Sequence, residues 1–229
     1  MLLFDLDGTL IDSNGIWVEV DLAFLGRHGL TPTDEYAYTV GHSIFPVAAQ
    51  YTRDYYHMDL SAQAIMDEWL SMAADAYARV PLKPGAGEFL ARCRERGERM
   101  ALVTACVPEL CRSALAHHGL TGWFEATVFA QDLGMEKRDP RVFTLTAQRL
   151  GVDPADCTLY EDAPANCAAA KGVGMTVVGV YDPFYENYQD QVRENSHRYL
   201  RSFTELLAGR AVFGRPFFIP PWTCAGRRI

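Results

Sequence analysis

The sequence predicts an α/β fold, in which helices cover a parallel sheet and a purely helical segment is inserted after the first strand. Three features support this. The chain opens on an apolar run, residues 1–4, that has the length of a short buried strand. From residue 82 onwards, apolar runs alternate with amphipathic stretches, which is typical of parallel strands joined by right-handed helical crossovers. Between these two regions, residues 14–81 show helical spacing only.

Four helices are expected within the inserted segment, at residues 16–29, 32–40, about 44–57 and 61–79. Gly29 is typical of a helix end. Ser43 can cap the third helix, and Pro46 fits the first turn of that helix. Most tyrosines of this segment are expected to pack it internally, with one or two facing a cleft. They are Tyr36, Tyr38, Tyr51, Tyr55 and Tyr56.

After a linker rich in Pro and Gly, at residues 81–85, strands and helices alternate. The expected strands are residues 100–103, 127–129, 157–160 and 176–180, and the expected helices are residues 86–96, 108–118, about 140–150 and 164–172. We expect these strands to join the first one in a single sheet, because alternation of this kind produces parallel pairing.

The composition is that of an ordinary globular protein and excludes several classes. Of the 229 residues, 49% are hydrophobic and 22% are charged, which suits one large domain or two smaller ones. A net charge of −8 argues against nucleic-acid binding, which normally needs a basic face. No apolar run reaches the roughly 18 residues of a membrane span, and no signal peptide is expected. Six cysteines without a CxxC pair favour free thiols and a cytoplasmic location.

Candidate chemical groups lie where the predicted strands end. Asp5 and Asp7 follow the first strand, and their side chains start on the same side because alternate residues of an extended segment share a face. Two carboxylates so close repel each other unless a cation or a shared proton lies between them. Other strand ends supply a hydroxyl, an ammonium and further carboxylates, from Thr104, Lys137, Glu161 and Asp162.

These residue types complement one another chemically. Carboxylate oxygens suit Mg²⁺, which also binds phosphate oxygens. A hydroxyl, an ammonium and backbone N–H groups suit a phosphoryl group. A carboxylate nucleophile can form an aspartyl-phosphate, and a second carboxylate nearby can transfer protons to and from the reacting oxygens.

Four motifs in this order resemble those of the haloacid dehalogenase-like (HAD) superfamily, in its phosphatase and phosphoglucomutase-like branch. Residues 5–10, Asp-Leu-Asp-Gly-Thr-Leu, resemble the first motif, DxDGTL. Residues 102–104 resemble the second, a hydrophobic strand ending in Thr or Ser. Residues 137–143 resemble the third, in which Lys precedes a helix start containing Pro. Residues 160–162, Tyr-Glu-Asp, resemble the fourth.

The resemblance implies a role for each residue. Asp5 would be the nucleophile and a Mg²⁺ ligand, and Asp7 would be the general acid/base and would give its backbone carbonyl to the metal. Asp162 would complete the metal site, with Glu161 as a ligand or as an acceptor behind the ligands. The phosphoryl group would be held by Thr104, Ala105 and Lys137.

The resemblance also implies a domain organisation. Residues 1–13 and 82–207 would form a Rossmann-like parallel-sheet core domain, and residues 14–81 a helical C1 cap domain that sets specificity. The extension 208–229 has no functional interpretation. In the cap, His42 would either contact substrate or be an exposed loop histidine.

The expected function is Mg²⁺-dependent hydrolysis of a small phosphorylated metabolite, with sugar phosphates among the candidates, by a monomer or weak homodimer. The alternative is a sugar phosphomutase of the β-phosphoglucomutase type, which Trp17 and Ile44 weaken because such enzymes carry His and Arg at these positions. A non-catalytic binding protein is a third possibility. A phosphonatase is set aside, since its cap lysine has no counterpart in residues 1–82, and Asp7 argues against a haloalkanoate dehalogenase.

Two departures from the family pattern stand beside the motifs. Ala105 and Cys106 follow Thr104, where relatives often carry Asn or Ser. Ala163 and Asn166 occupy positions of the fourth motif where Ser and Gly are usual. The family pattern therefore does not define the geometry of the turn after Asp162.

Overall fold

The computed structural model describes residues 1–207, so the expected extension 208–229 lies outside the described residues. A six-stranded parallel sheet with the order β3-β2-β1-β4-β5-β6 forms its centre. The strands are β1 (Leu2–Phe4), β2 (Met100–Thr104), β3 (Thr127–Phe129), β4 (Thr158–Glu161), β5 (Thr176–Val180) and β6 (Arg198–Leu200). The predicted α/β fold with a parallel sheet is confirmed.

Helices cover both faces of this sheet. They are α5 (Ala86–Glu95), α6 (Pro108–His117), α7 (Pro140–Arg149), α8 (Pro164–Gly172), α9 (Gln189–Glu194) and α10 (Thr204–Leu207). Successive residues of a strand point to opposite faces. Leu3 and Val103 accordingly pack into one hydrophobic cluster, whereas Phe4 and Leu102 pack into the other.

The inserted segment contains four helices and, among the described residues, no strand of the sheet. They are α1 (Asn14–Arg27), α2 (Asp34–Gly41), α3 (Phe45–Tyr55) and α4 (Ala62–Tyr77). Pro46 lies in the first turn of α3, as predicted. Ser43 does not cap that helix. Ile44 holds the N-cap position without a side-chain bond, because the Ser43 hydroxyl donates back to the Thr39 carbonyl at 2.8 Å.

Two chain segments side by side connect the inserted helices to the sheet. Ile11 forms an antiparallel bridge with Leu82, and the Lys83 N–H donates to the Leu10 carbonyl at 2.8 Å. The imidazole of His118, after α6, donates to the Val80 carbonyl at 2.6 Å. The helical segment is therefore anchored at the edge of the sheet where β1 ends.

Sequence patterns did not predict the last strand or the short helices around it. The segment Arg198–Leu200 is three residues long and its first residue is exposed, so it lacks an apolar run, yet it pairs with β5 at the sheet edge. No helix among the described residues has the length and apolarity of a membrane span.

Candidate active site

The predicted site begins at the carboxyl ends of three adjacent strands. In the sheet β1 lies between β2 and β4, and Phe4 is in register with Leu102 and Tyr160. The Asp5 N–H continues the pairing by donating to the Tyr160 carbonyl at 3.0 Å. Because strand order reverses on either side of β1, this edge is the crevice where open α/β sheets bind ligands.

Gly8 makes the turn that holds the two first-motif carboxylates in place. Its φ of +76° lies in the left-handed region, and the Leu10 N–H closes the turn onto the Leu6 carbonyl at 2.9 Å. A Cβ on Gly8 would lie 2.2 Å from both Asn14 Nδ2 and Asp162 Oδ2. Glycine is thus required for the backbone conformation and for the close approach of Asp162.

We expect Gly8→Ala to destabilise the fold by roughly 2–4 kcal/mol, because left-handed strain and a clash combine. Gly29→Ala is the matched control, since Gly29 also has a positive φ (+70°) but no atom lies within 4 Å of its Cβ position. The control should cost only about 1–2 kcal/mol. Urea unfolding measures both variants, and equal losses would contradict the clash at Asp162.

A buried cluster of charges surrounds the end of β1. The Lys137 ammonium lies 2.5 Å from Asp5 Oδ1 and 2.6 Å from Glu161 Oε2. These three residues are 4%, 6% and 0% exposed, in that order. Asp162 is also buried, and its Oδ1 accepts from the Thr9 hydroxyl at 2.8 Å. One ammonium among three buried carboxylates leaves the site with excess negative charge.

The pKa values show the same imbalance. Burial raises the pKa of Asp5 to about 7, with Lys137 opposing the shift and the Glu161 and Asp7 charges adding to it. Burial, followed by the Glu161 and Asp5 charges, raises the pKa of Asp162 well above its ordinary value. Buried carboxylates that repel one another favour a bound cation between them.

The arrangement of oxygens fits a hard divalent cation. Asp5, Glu161 and Asp162 each offer a carboxylate oxygen, and these atoms lie within 4.8 Å of one another. Mg²⁺ prefers such oxygen ligands. One oxygen of Glu161 already accepts two hydrogen bonds, because its Oε1 accepts from the N–H groups of Asp162 and Ala163 at 3.2 and 3.0 Å. Its hydrogen bonds fix the turn that carries Asp162.

Asn166, one of the departures from the family pattern, supports that same turn. Its Nδ2 donates to Glu161 Oε1 at 3.3 Å. The side chain therefore adds a donor to the carboxylate where relatives have a glycine. The turn is well supported although its sequence is unusual.

Asp7 is held by residues that the sequence patterns did not identify. Its Oδ1 accepts from the Ser13 hydroxyl at 2.6 Å and from the Tyr77 hydroxyl at 2.5 Å, and Trp17 Nε1 donates to that phenol oxygen at 2.7 Å. Burial and the Asp7 charge raise the pKa of Tyr77, so its hydroxyl stays protonated and donates. Tyr77 ends α4, 70 residues from Asp7, so nothing local in the sequence indicates their contact.

Thr104 ends β2 with its side chain buried beside the site. Its Oγ1 accepts from the Cys106 N–H at 3.0 Å, which leaves the hydroxyl hydrogen available for a ligand oxygen. Burial, together with the Asp7 charge, raises the pKa of the Cys106 thiol. Cys106 is therefore a thiol and not a thiolate nucleophile.

One cavity of about 470 Å³ joins these groups to the inserted helices. Its lining includes all eight predicted site residues, Asp5, Asp7, His42, Thr104, Ala105, Lys137, Glu161 and Asp162. His42 lies across the cleft from the sheet, with its ring 6.1 Å from that of Tyr185. Its Nδ1 donates to the Tyr38 carbonyl at 2.6 Å, so Nε2 is left for other partners.

Comparison with known proteins is consistent with this geometry. Residues 2–180 match the family described as haloacid dehalogenase-like hydrolase. The chain belongs to this family. Hexitol phosphatase B of Escherichia coli O157:H7 is 30% identical over 210 residues, covering 90% of this chain and 93% of that protein. The fructose-1-phosphate phosphatase of E. coli K12 is 31% identical over 183 residues, 78% of this chain and 95% of its own.

Solved structures of the HAD family share the fold. A mutant of CbbY from Rhodobacter sphaeroides, in complex with xylulose-(1,5)bisphosphate, superposes with a TM-score of 0.77 at 20% identity. The match covers 90% of this chain and 95% of CbbY. At this identity the likeness extends to the architecture, a parallel sheet with inserted helices.

Proposed function

We propose that this HAD hydrolase is a Mg²⁺-dependent phosphatase that hydrolyses a small phosphorylated metabolite through an aspartyl-phosphate on Asp5. The observation that carries the proposal is the buried pairing of Asp5 with Lys137 beside two further carboxylates, at the floor of the cavity. Similarity to proteins named hexitol phosphatase and fructose-1-phosphate phosphatase supports a sugar or polyol phosphate as the substrate class.

The residues proposed to hold Mg²⁺ are Asp5 and Asp162, through their carboxylates, and Asp7, through its backbone carbonyl, with Glu161 behind them or as a further ligand. When bound, the ion would neutralise the carboxylates and polarise phosphoryl oxygens.

The phosphoryl group would be held by Thr104, through its free hydroxyl hydrogen, and by Lys137, through its ammonium. Ala105 lies beside Thr104 in the cavity lining.

The first step is displacement at phosphorus. A carboxylate oxygen of Asp5 forms a bond to phosphorus while the ester oxygen leaves, and Asp7 supplies the proton that the leaving alkoxide needs. The hydrogen bonds from Ser13 and Tyr77 to Asp7 Oδ1 fix the orientation of this carboxyl group.

The second step returns the enzyme to its starting state. Asp7, now ionised, takes a proton from a water molecule as the water oxygen bonds to phosphorus. The bond between phosphorus and the Asp5 oxygen breaks, inorganic phosphate leaves and the Asp5 carboxylate is regenerated. We propose that residues 14–81 form a cap domain over the core of 1–13 and 82–207, excluding bulk water, with His42 contacting the substrate.

The phosphomutase alternative is supported by likeness of fold alone, since a solved β-phosphoglucomutase shares the architecture at 19% identity. A mutase must hold a bisphosphorylated intermediate, which requires cationic groups on the cap side of the cavity. Among the described residues, no Lys or Arg of the inserted helices lines this cavity. Trp17 donates to Tyr77 and lines the wall instead of supplying an imidazole. A non-catalytic role is disfavoured because the whole set of chemical groups is assembled.

Tyr77→Phe tests how Asp7 acts as a proton donor. Without the phenol hydroxyl, the Asp7 carboxyl group loses one of the two hydrogen bonds that orient it. We therefore expect kcat/KM to fall about tenfold or more for alkyl phosphates, whose leaving oxygen needs a proton. For p-nitrophenyl phosphate, whose leaving group departs unprotonated, the fall should be about threefold or less. Steady-state kinetics on both substrates gives the comparison.

Tyr56→Phe is the control for that variant, because it also removes one tyrosine hydrogen bond of the helical segment, from Tyr56 to the Thr31 carbonyl at 2.9 Å. Its kinetics should match those of the wild type. An equal loss on both substrates with Tyr77→Phe would indicate a purely structural role for the phenol.

Hydrolysis of p-nitrophenyl phosphate with and without Mg²⁺ tests the proposed function itself. We expect p-nitrophenol release that requires Mg²⁺ and is abolished by a chelator. Equal rates with Mg²⁺ and with excess chelator would overturn the metal-dependent mechanism, and no release in Mg²⁺ would overturn the phosphatase.

A further inference from the structure

The wall of the cavity beyond the phosphoryl site is largely apolar. From the inserted helices, Trp17, Phe45 and Trp69 line it, and their rings pack in a row with centroids 5.7 and 5.6 Å apart. Val40 and Ala48 extend the same wall. A leaving group attached to a phosphorus at Asp5 must extend along this surface, since the floor is filled by carboxylates.

The mouth of the cavity concentrates exposed apolar side chains. Seven large hydrophobic residues are exposed in residues 1–207, and five of them line this cavity. Those five are Val18, Leu22, Tyr38, Phe184 and Tyr188. Exposed apolar patches on a protein usually mark binding surfaces. Here the patch is continuous with the catalytic floor, so its occupant is the substrate.

Positive charge is scarce along the same path. Lys137 is the one Lys or Arg lining the cavity among the described residues, and it already lies between Asp5 and Glu161. Arg138 lines a smaller adjoining cavity of about 60 Å³, where it is exposed and shares the lining with Glu136.

Negative charge, by contrast, is present on the cap side. Asp21 and Asp34 line the cavity there, at a distance in sequence from the catalytic carboxylates. A second anionic group on the substrate would meet these carboxylates and the apolar wall, and among the described residues no Lys or Arg of the inserted helices lines the cavity to compensate for its lost hydration.

We infer that the substrate is a phosphate monoester whose alcohol portion carries no second anion and presents an apolar face, such as a sugar ring, a carbocycle or an alkyl chain, to Trp17, Phe45 and Trp69. This inference rests on the proposed phosphatase function and narrows it. It excludes bisphosphates, phosphorylated sugar acids and phosphoglycolate as good substrates.

Two matched pairs of substrates test the inference with the wild-type enzyme and Mg²⁺. Glucitol 6-phosphate and 6-phosphogluconate differ by one terminal carboxylate, and kcat/KM should be at least about tenfold higher for the neutral ester. Cyclohexylmethyl phosphate and ethyl phosphate differ by an apolar ring, and the ring should raise kcat/KM at least about tenfold. Ratios near or below one in either pair would overturn the inference.

Failure of the inference can be distinguished from failure of the proposed function. If p-nitrophenyl phosphate is hydrolysed but the kcat/KM ratios of the two substrate pairs are near one, the proposed phosphatase function is supported and the inferred substrate class is wrong. If none of the esters is hydrolysed, the proposed function fails as well.

A charge-insertion variant tests where the leaving group lies. Leu22→Lys adds an ammonium at the mouth, where the side chain is 54% exposed, and should lower the preference for glucitol 6-phosphate over 6-phosphogluconate about threefold or more. Val47→Lys is the matched control, since Val47 is 47% exposed on the same helical segment but does not line the cavity. The control should keep the wild-type ratio, and equal ratios in both variants would overturn the location.

Discussion

Asp5→Asn is expected to lower kcat by at least about 10⁴-fold, because an amide oxygen cannot replace the carboxylate nucleophile. The fold should persist, since Asn has nearly the same size. The raised pKa of Asp5, about 7, means that ionisation of this buried group opposes folding at neutral pH. Metal-free Asp5→Asn should therefore be at least as resistant to urea at pH 7 as the wild type, and steady-state kinetics measures the loss of turnover.

The sign of that stability effect follows from linkage. A carboxyl whose pKa is higher in the folded state binds more protons when folded, so its ionisation destabilises the fold as pH rises from about 4 towards about 7. Asp75→Asn is the control, because Asp75 is exposed on α4 and does not line the cavity. It should change neither kcat nor stability appreciably. Substantial turnover by Asp5→Asn would contradict its assignment as nucleophile.

Lys137→Met is expected to destabilise the metal-free protein by about 3–5 kcal/mol, because it leaves the buried carboxylates of Asp5 and Glu161 without their cation. Turnover should also fall at least about 100-fold, since the ammonium holds the phosphoryl group. Urea unfolding in a chelator and in Mg²⁺ measures the first effect. Mg²⁺ should recover part of the loss, because an ion bound to the native state adds stability.

Lys83→Met separates folding from catalysis. Lys83 is also buried and lies 2.6 Å from Asp182, but it does not line the cavity. We expect a comparable loss of stability and a much smaller loss of kcat where both variants remain folded. Unchanged stability in Lys137→Met would contradict the charge cluster as described, and equal kcat losses in the two lysine variants would contradict the role of Lys137 at the phosphoryl group.

The strand-end residues could be predicted because their signal is local. Asp5 and Asp7 directly follow an apolar run, and Thr104 and Asp162 follow two others. Parallel pairing then brings all these ends to one edge of the sheet. The first five strands and their crossover helices could be predicted for the same reason, whereas Arg198–Leu200 was missed because it lacks an apolar run.

The support behind Asp7 could not be predicted from the same patterns. Tyr77 and Trp17 come from two different helices, and each occupies a position where an apolar aromatic would equally fill the core. Their polar atoms form the hydrogen bonds that support Asp7 only when the helical segment packs against the first-motif turn. The Ser43 hydroxyl was assigned wrongly for a related reason, since a hydroxyl at a helix boundary can donate backwards as readily as it can cap forwards.

The apolar wall of the cavity could not be predicted from the sequence either. Trp69 and Phe45 fit the helical spacing of a core face, and the part of each ring that faces the cavity depends on tertiary packing. Leu22 and Val18 are exposed on α1 beside buried Val20, so periodicity alone does not separate a substrate surface from the packing surface.

Trapping the covalent intermediate tests the central claim most directly. Wild-type enzyme mixed with Mg²⁺ and a phosphate monoester is quenched in acid during turnover, digested and mapped by mass spectrometry. We predict a phosphoryl group on the peptide that contains Asp5, localised to that residue, and no label in Asp5→Asn. Hydrolysis that proceeds without a phosphoenzyme, or a phosphoryl group on any other residue, would contradict the mechanism.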